Sequence, residues 1–234
     1  MALSGIKALA FDTGGTVLDW HTGIRAALAE VGARHGIDRD WTDITNAYRR
    51  RALQRMTYQT SPGFNIDDVH HEVLEQLVGE HGLGMFSDAE RATIARRWHT
   101  LDAWADFPPA LERLRRGYVV VSFTILSVAL IIDTARCNGL HWDAVISCEM
   151  LDVYKPRPEA YQRAAKLLQV APSGILMVAC HNFDLNAARG VGYRTCFVRR
   201  PDEWGPAGPP DPIPDPATDL VVDGFAELAE RMGA

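Results

Sequence analysis

Four polar residues of this chain stand where catalytic groups are usually found. Asp12, Thr124, Lys155 and Asp184 each fall at or just after the end of an apolar run. Two carboxylates, an ammonium and a hydroxyl are parts from which nucleophilic or acid–base catalysis is assembled. The runs are KALAFD (7–12), YVVVSFTIL (118–126), DAVIS (143–147) and GILMVAC (174–180). Short continuous apolar runs bounded by turn residues read as buried strands. In open α/β sheets, ligands gather beyond the carboxyl ends of the strands. Residues far apart in sequence are therefore predicted to meet, with TGGT after Asp12 forming a tight loop beside them.

That meeting requires the runs to lie side by side. RTCFV (194–198) and DLVV (219–222) add two more strands, and helices are predicted from about Ser127 to Cys137, after Lys155, from about Asp184 and over 223–232. Pro158 suits the first turn of its helix, where a missing N–H costs nothing. Such alternation gives an α/β fold, a mostly parallel sheet with helices on both faces. GPAGPPDPIPDPA is too rigid and polar for core and reads as a surface connection. Between the first two strands the pattern is helical. Val69, Val73, Leu74, Leu77 and Val78 mark one apolar face, Ile94, Trp98 and Leu101 another, and Ile44, Tyr48 and Leu53 an earlier helix. Residues 20–100 are thus expected to form a helical cap domain, with 1–19 and 101–234 as the core. There is no internal repeat.

Composition narrows the function classes. A chain of 234 residues with 47% hydrophobic and 23% charged residues buries a sizeable core. A formal net charge of -6 argues against general nucleic-acid binding; the cluster Arg49, Arg50 and Arg51 reads on composition as a solvated helix face. Cys137, Cys148, Cys180 and Cys196 show no metal-ligand spacing. The N-terminal apolar run is too short for a signal peptide and no span reaches membrane length. A reduced, cytoplasmic protein with no membrane and no metal is expected.

The four segments resemble the motifs of the haloacid dehalogenase superfamily. FDTGGTVLDW is similar to its first motif, Thr124 stands at its second, VYKPRPEAY with Lys155 looks like its third, and ACHNFDLNAA with Asp184 like its fourth. The likeness covers nearly the whole chain, including WHTLDAWADF (98–107) and RRPDEWGP (199–206). It implies a Rossmann-like core with an inserted cap. Phosphatases of the superfamily carry a second Asp two residues after the nucleophile; here that residue is Gly14. The pattern is instead similar to type II, L-2-haloacid dehalogenase-like members, which use no metal or other cofactor and act on small carboxylic acids. By that resemblance Asp12 is the nucleophile, Thr16 and Thr124 donate hydrogen bonds to Asp12 or to the substrate carboxylate, Lys155 keeps Asp12 ionised, and Asp184 pairs with Lys155 and helps place the hydrolytic water. Arg49 meets the leaving halide, Tyr161 lies near the site, Trp20 walls the pocket, and a homodimer is implied. Taken on their own, Asp184 suits a helix N-cap and Tyr161 and Trp20 suit packing.

The pattern also departs from that family. Ile125 replaces an amide that follows the second-motif Ser or Thr, and Ala179 and His181 replace a Ser and an Asn of the fourth motif. His181 reads either as a proton donor or as a hydrogen-bonded loop residue. Three function classes follow. The first is a hydrolase attacking an sp3 carbon of a 2-substituted carboxylic acid through an Asp12 ester, on a 2-haloacid or, alternatively, opening the C–N bond of L-azetidine-2-carboxylate. The second is a small-metabolite phosphatase, against which Gly14 speaks. The third is a non-catalytic binding protein.

Overall fold

The computed structural model describes residues 3–234; residues 1 and 2, part of the segment assigned to the core, lie outside the described residues. Six strands form one parallel sheet: β1 (Ala8–Phe11), β2 (Val119–Thr124), β3 (Ala144–Ser147), β4 (Ile175–Ala179), β5 (Arg194–Val198) and β6 (Leu220–Val222). Their order is β3-β2-β1-β4-β5-β6. β1 is central and buried throughout, which is why its sequence is apolar without alternation. The chain runs outward from β1 in both directions, so the order reverses between β1 and β4. A crevice opens beyond the carboxyl ends at such a switch point. Asp12 lies in it, and its backbone N–H still donates to Val178 of β4 at 3.0 Å.

Between β1 and β2 the chain is helical, with no strand among the described residues of that stretch: α1 (Trp20–Arg34), α2 (Thr42–Met56), α3 (Ile66–Glu80), α4 (Asp88–Arg96), a 3-10 turn at Arg97–Thr100, and α5 (Phe107–Leu114). The predicted apolar faces of α2 and α3 are the buried ones, Leu53 only partly. Their starts are set by local chemistry. Asn65 caps α3 by accepting from the Asp67 N–H, and Ser87 with Glu90 forms a capping box on α4. After β2 follow α6 (Val128–Asn138), α7 (Cys148–Leu151), α8 (Pro158–Leu168), α9 (Asn182–Gly190) and α10 (Phe225–Arg231).

Strand alternation sorts these helices onto two faces. Phe11 of β1 packs on Phe107 of α5 and Phe225 of α10, at ring distances of 5.4 and 5.9 Å. Phe11 pairs in register with Ser122, so Phe123 points to the opposite face; there it meets Tyr161 of α8 at 5.3 Å. Both faces are therefore covered. No helix among the described residues is long and apolar enough to cross a membrane.

Two expectations need correction, and one helix is new. The second strand ends at Thr124 rather than 126, because the Leu126 N–H turns back to Thr124 Oγ1 at 3.1 Å and leaves the ladder. The helix expected from about Asp184 begins at Asn182, with His181 at its N-cap, so Asp184 is not the cap. α5 has no counterpart among the predicted helices; its paired prolines, Pro108 and Pro109, sit in the first turn, where prolines cost a helix nothing.

One polar anchor ties the end of the sheet together. Arg200, just past β5, donates to both Asp106 oxygens at 2.9 and 3.2 Å and through Nε to the Thr16 carbonyl at 3.1 Å, and Asp106 also accepts from the Phe225 N–H. Arg200→Ala is expected to cost about 1.5–3 kcal/mol, the range for hydrogen bonds to charged groups. Urea denaturation checks this, and a loss below about 0.5 kcal/mol would rule the anchor out.

Candidate active site

The loop after β1 is fixed by its own backbone. Val17 and Leu18 donate to the Thr13 carbonyl, Gly15 donates to Leu18, and Trp104 Nε1 donates to the Gly15 carbonyl. This folds Thr16 back under Asp12, so that its hydroxyl donates to Asp12 Oδ2 at 2.8 Å. Thr16 Oγ1 in turn accepts from the Cys180 N–H, tying the β1 and β4 ends together. Both glycines make room. A Cβ on Gly14 would lie 3.0 Å from Arg49 Nη2, and one on Gly15, at φ +97°, would lie 2.0 Å from Glu203 Oε1. The loop is glycine-rich because two charged side chains cross it.

One side of Asp12 is closed by Lys155. Its ammonium donates to Asp184 Oδ2 and to the Phe123 carbonyl, both at 2.7 Å, and lies 3.5 Å from Asp12 Oδ1. Tyr161 donates to Asp184 Oδ1 at 2.6 Å. Lys155 is fully buried, and although burial opposes its charge, Asp184 and Asp12 hold its pKa above the usual lysine value. Burial raises Asp184, with the Asp12 charge adding and Lys155 opposing.

The other side is closed by a histidine between two acids. His181 Nδ1 lies 3.2 Å from Asp12 Oδ2 and Nε2 lies 3.0 Å from Glu203 Oε1. Only the doubly protonated ring donates from both nitrogens at once. Burial works against that charge, but Cys180, Glu203 and Asp12 outweigh it and carry the pKa well above the ordinary imidazole value. The carboxylates account for this, because burial pushes the Cys180 thiol up to about 11 and leaves it neutral. Asp12 itself is 6% exposed. Burial raises its pKa, yet Lys155, His181 and Thr16 together hold it well below the usual carboxylate range. Glu203 accepts from Trp20 Nε1 at 3.1 Å and is likewise lowered, burial opposing and His181 and Arg49 prevailing.

Arg49 of α2 completes the set. Its Nη2 donates to the Gly14 carbonyl at 2.9 Å, and the guanidinium lies 5.6 and 5.8 Å from the rings of Trp20 and Trp98. Its Nε and Nη1 are buried with no hydrogen-bond partner among the described residues. Among those residues, Asp12, Arg49, Lys155, Asp184 and Glu203 are all the buried Asp, Glu, Lys and Arg side chains, and all five belong to this cluster.

The sequence-derived residues come together with differences in detail. Asp12, Thr16, Lys155, Asp184, Tyr161, His181, Arg49 and Trp20 form one connected network. Thr124 is at the strand end but does not bond Asp12; its oxygen accepts from Thr13 Oγ1 at 2.6 Å and from the Leu126 N–H. Ile125 is buried beside it and presents no polar group. Arg49 is not on a solvated face, as composition alone would have it, but fully buried. Glu203, Thr13 and Cys180 escaped the sequence reading as site residues. The only signal for Glu203 was an acid among the aromatic and proline residues of RRPDEWGP. Cys180, His181 and Glu203 place sulfur, nitrogen and oxygen atoms within 4.8 Å of one another. They contact one another directly: His181 Nε2 lies 3.4 Å from Cys180 Sγ and 3.0 Å from Glu203 Oε1, and Cys180 Sγ lies 3.6 Å from Glu203 Oε2.

Known proteins share this fold. A family model described as haloacid dehalogenase-like hydrolase matches residues 6–192. The (S)-2-haloacid dehalogenase 1 of Pseudomonas sp. (strain CBS-3) is 25% identical over 200 residues, covering 83% of this chain and 85% of that one. The (S)-2-haloacid dehalogenase of Pseudomonas sp. (strain YL) is 28% identical over 202 residues, covering 83% of each. A solved structure of a defluorinating L-2-haloacid dehalogenase superposes with a TM-score of 0.90 at 32% identity, covering 98% of this chain and 96% of that one.

Two outcomes are expected. Gly15→Ala forces a left-handed φ on an L-residue and overlaps Glu203, at a cost of at least about 2 kcal/mol by urea denaturation. An unchanged midpoint would contradict the packing. For His181, the folded pKa is raised, so its stabilisation is complete below the ordinary imidazole value of about 6.5 and is lost as pH rises through the folded pKa. The stability margin of wild type over His181→Asn should therefore be largest at pH 6 and shrink towards pH 9, and a margin that grows with pH would show that the ring is neutral.

Proposed function

The chain belongs to the haloacid dehalogenase-like hydrolases, and from that premise we propose that it cleaves the C2–halogen bond of a small 2-haloacid without metal, through a covalent ester on Asp12. The observation that carries the proposal is the buried Arg49 guanidinium, with two unpartnered nitrogens, near enough to Asp12 to feel its charge. An anion leaving from the substrate, opposite the attacking Asp12, would meet that cation. Asp12 Oδ2 is engaged by Thr16 and His181, whereas Oδ1 has only Lys155 at 3.5 Å, which makes Oδ1 the freer attacking atom. In the first step the Oδ1–C2 bond forms, the C2–halogen bond breaks, and the halide leaves with its electron pair. Residues 20–100 act in this reading as the cap domain, α2 supplying Arg49 and α1 supplying Trp20. Similarity to (S)-2-haloacid dehalogenases supports the substrate class.

The phosphatase alternative is disfavoured by Gly14, which offers no second carboxyl group two residues after Asp12 for acid–base help. Opening of L-azetidine-2-carboxylate by the same nucleophile is the second reading, drawn from the pocket positions at which Ile125 and His181 replace the amides of the haloacid pattern.

Incubation in EDTA with both enantiomers of 2-chloropropionate, chloroacetate, fluoroacetate and L-azetidine-2-carboxylate tests the proposal. Turnover of (S)-2-chloropropionate is expected, abolished in Asp12→Asn and reduced at least about 100-fold in Arg49→Ala, the scale for losing a charge-stabilising donor. In H2¹⁸O, label should enter the Asp12 peptide. Turnover of azetidine-2-carboxylate alone would select the second reading. Mg²⁺-dependent phosphate release with no turnover of the panel would discard both.

A further inference from the structure

We propose that Glu203 is a positioning residue for the second half of the reaction: it holds the His181 imidazolium on Asp12 Oδ2, so that His181 and Thr16 stabilise the negative charge that forms on this oxygen when water opens the ester. The inference rests on the Asp12 ester of the preceding reading.

The geometry distinguishes the two acids that flank His181. Before reaction, Nδ1 faces Asp12 Oδ2 at 3.2 Å and Nε2 faces Glu203 Oε1 at 3.0 Å. Once Oδ1 is alkylated, Asp12 is a neutral ester and Oδ2 is its carbonyl oxygen. Two hydrogen-bond donors already lie on that atom, Thr16 Oγ1 at 2.8 Å and His181 Nδ1. Donors aimed at a developing oxyanion in a water-poor site stabilise the transition state strongly. Esterification, however, removes one of the two anions that keep the ring charged, and a buried cation without a partner gives up its proton. The groups around the ring are Asp12 from the end of β1, Cys180 next to it in sequence, and Glu203 from the segment after β5. Cys180 is a neutral thiol, and Lys155 and Asp184 lie on the far side of Asp12. Glu203 is thus the anion in contact with His181 that the reaction does not consume.

Glu203 is built for constancy. It is 1% exposed, accepts from Trp20 Nε1, feels the Arg49 charge, and occupies the space that the missing Gly15 side chain leaves. The hydrolytic step balances with groups at hand. Water oxygen bonds Cγ, its proton passes to Asp184, and the C=O electron pair moves onto Oδ2 under His181 and Thr16. The Cγ–Oδ1 bond then breaks, the departing alkoxide of the 2-hydroxy acid takes the proton from Asp184, and the carboxyl left on Asp12 releases its proton.

Rapid-quench kinetics with (S)-2-chloropropionate, reading chloride and the mass of the Asp12 peptide together, tests the assignment in wild type and Glu203→Gln. The variant should keep a chloride burst within about 3-fold of wild type, accumulate the Asp12 ester, and hydrolyse it about 100-fold more slowly at pH 8, the loss expected for one oxyanion donor. Its hydrolysis should also fall as pH rises past about 6.5, the ordinary imidazole value, while wild type stays flat from pH 6 to 8. A merely structural role for Glu203 would not create that profile. Ester hydrolysis at the wild-type rate, or a deficit confined to chloride release, would overturn the proposal. If Glu203→Gln does not fold, His181→Gln carries the test, with a pH-independent loss of hydrolysis behind an intact burst as support and unchanged hydrolysis as refutation. Absence of both burst and adduct in the wild type would instead refute the parent reading.

Discussion

Keeping a carboxylate ionised at the buried end of a parallel sheet is the constraint around which the rest of this site is arranged. Taking such a charge out of water costs several kcal/mol even after relaxation, and Asp12 is 6% exposed. The cost is offset only by partners with good geometry, and those partners are themselves charged and buried. The protein solves this with a closed set. Asp12, Asp184 and Glu203 are balanced by Lys155, His181 and Arg49, and each acid touches or faces at least one of the bases. Lys155 and His181 each face a second acid besides Asp12, so each keeps an anionic partner when Asp12 loses its charge.

The sheet topology makes such a set assemblable. Strand order reverses between β1 and β4, so Asp12 and the Cys180–Asp184 segment leave adjacent strands at the same end. The turn after β3 brings Lys155 across to that crevice, and the segment after β5 brings Glu203. Arg49 comes from outside the sheet, on a helix inserted after β1. Two consecutive glycines let the last two approach the β1 loop from different sides. Local backbone freedom at residues 14 and 15 is therefore a condition for the electrostatics.

The sheet and half of the site were legible because the signals are local. Asp12, Lys155 and Asp184 follow apolar runs, and the strand-end rule converts that position into proximity. Hydrophobic spacing likewise gave α2 and α3. Glu203 was not legible, since its contacts with His181, Trp20 and Gly15 are all distant in sequence and no periodicity encodes them. The glycines were read as a turn, which they are, but the side chains they admit were invisible. Arg49 shows the limit from the other direction. Within Arg49, Arg50 and Arg51 composition makes all three alike, yet helix geometry aims one of them inward and leaves the others more exposed. Which arginine that is follows from a 3.6-residue period anchored by Thr45, Ala52 and Met56, all fully buried.

Charge conservation through the proposed cycle explains why the set carries three cations. At rest the six buried charges sum to zero. A 2-haloacid brings its carboxylate and lowers the sum to minus one. Displacement neutralises Asp12 and creates a halide, so the total is unchanged while one negative charge moves from the nucleophile towards Arg49. When halide departs, the substrate carboxylate replaces Asp12 in the balance and the ester state is again neutral overall. A low-dielectric site amplifies any imbalance, so a cycle that never departs from neutrality by more than one unit charge suits a buried cluster. A phosphate monoester dianion would bring twice the charge into the same enclosure, with Gly14 offering no acid to relieve it. The balance of buried charge thus favours a monoanionic carboxylic acid on grounds separate from sequence likeness.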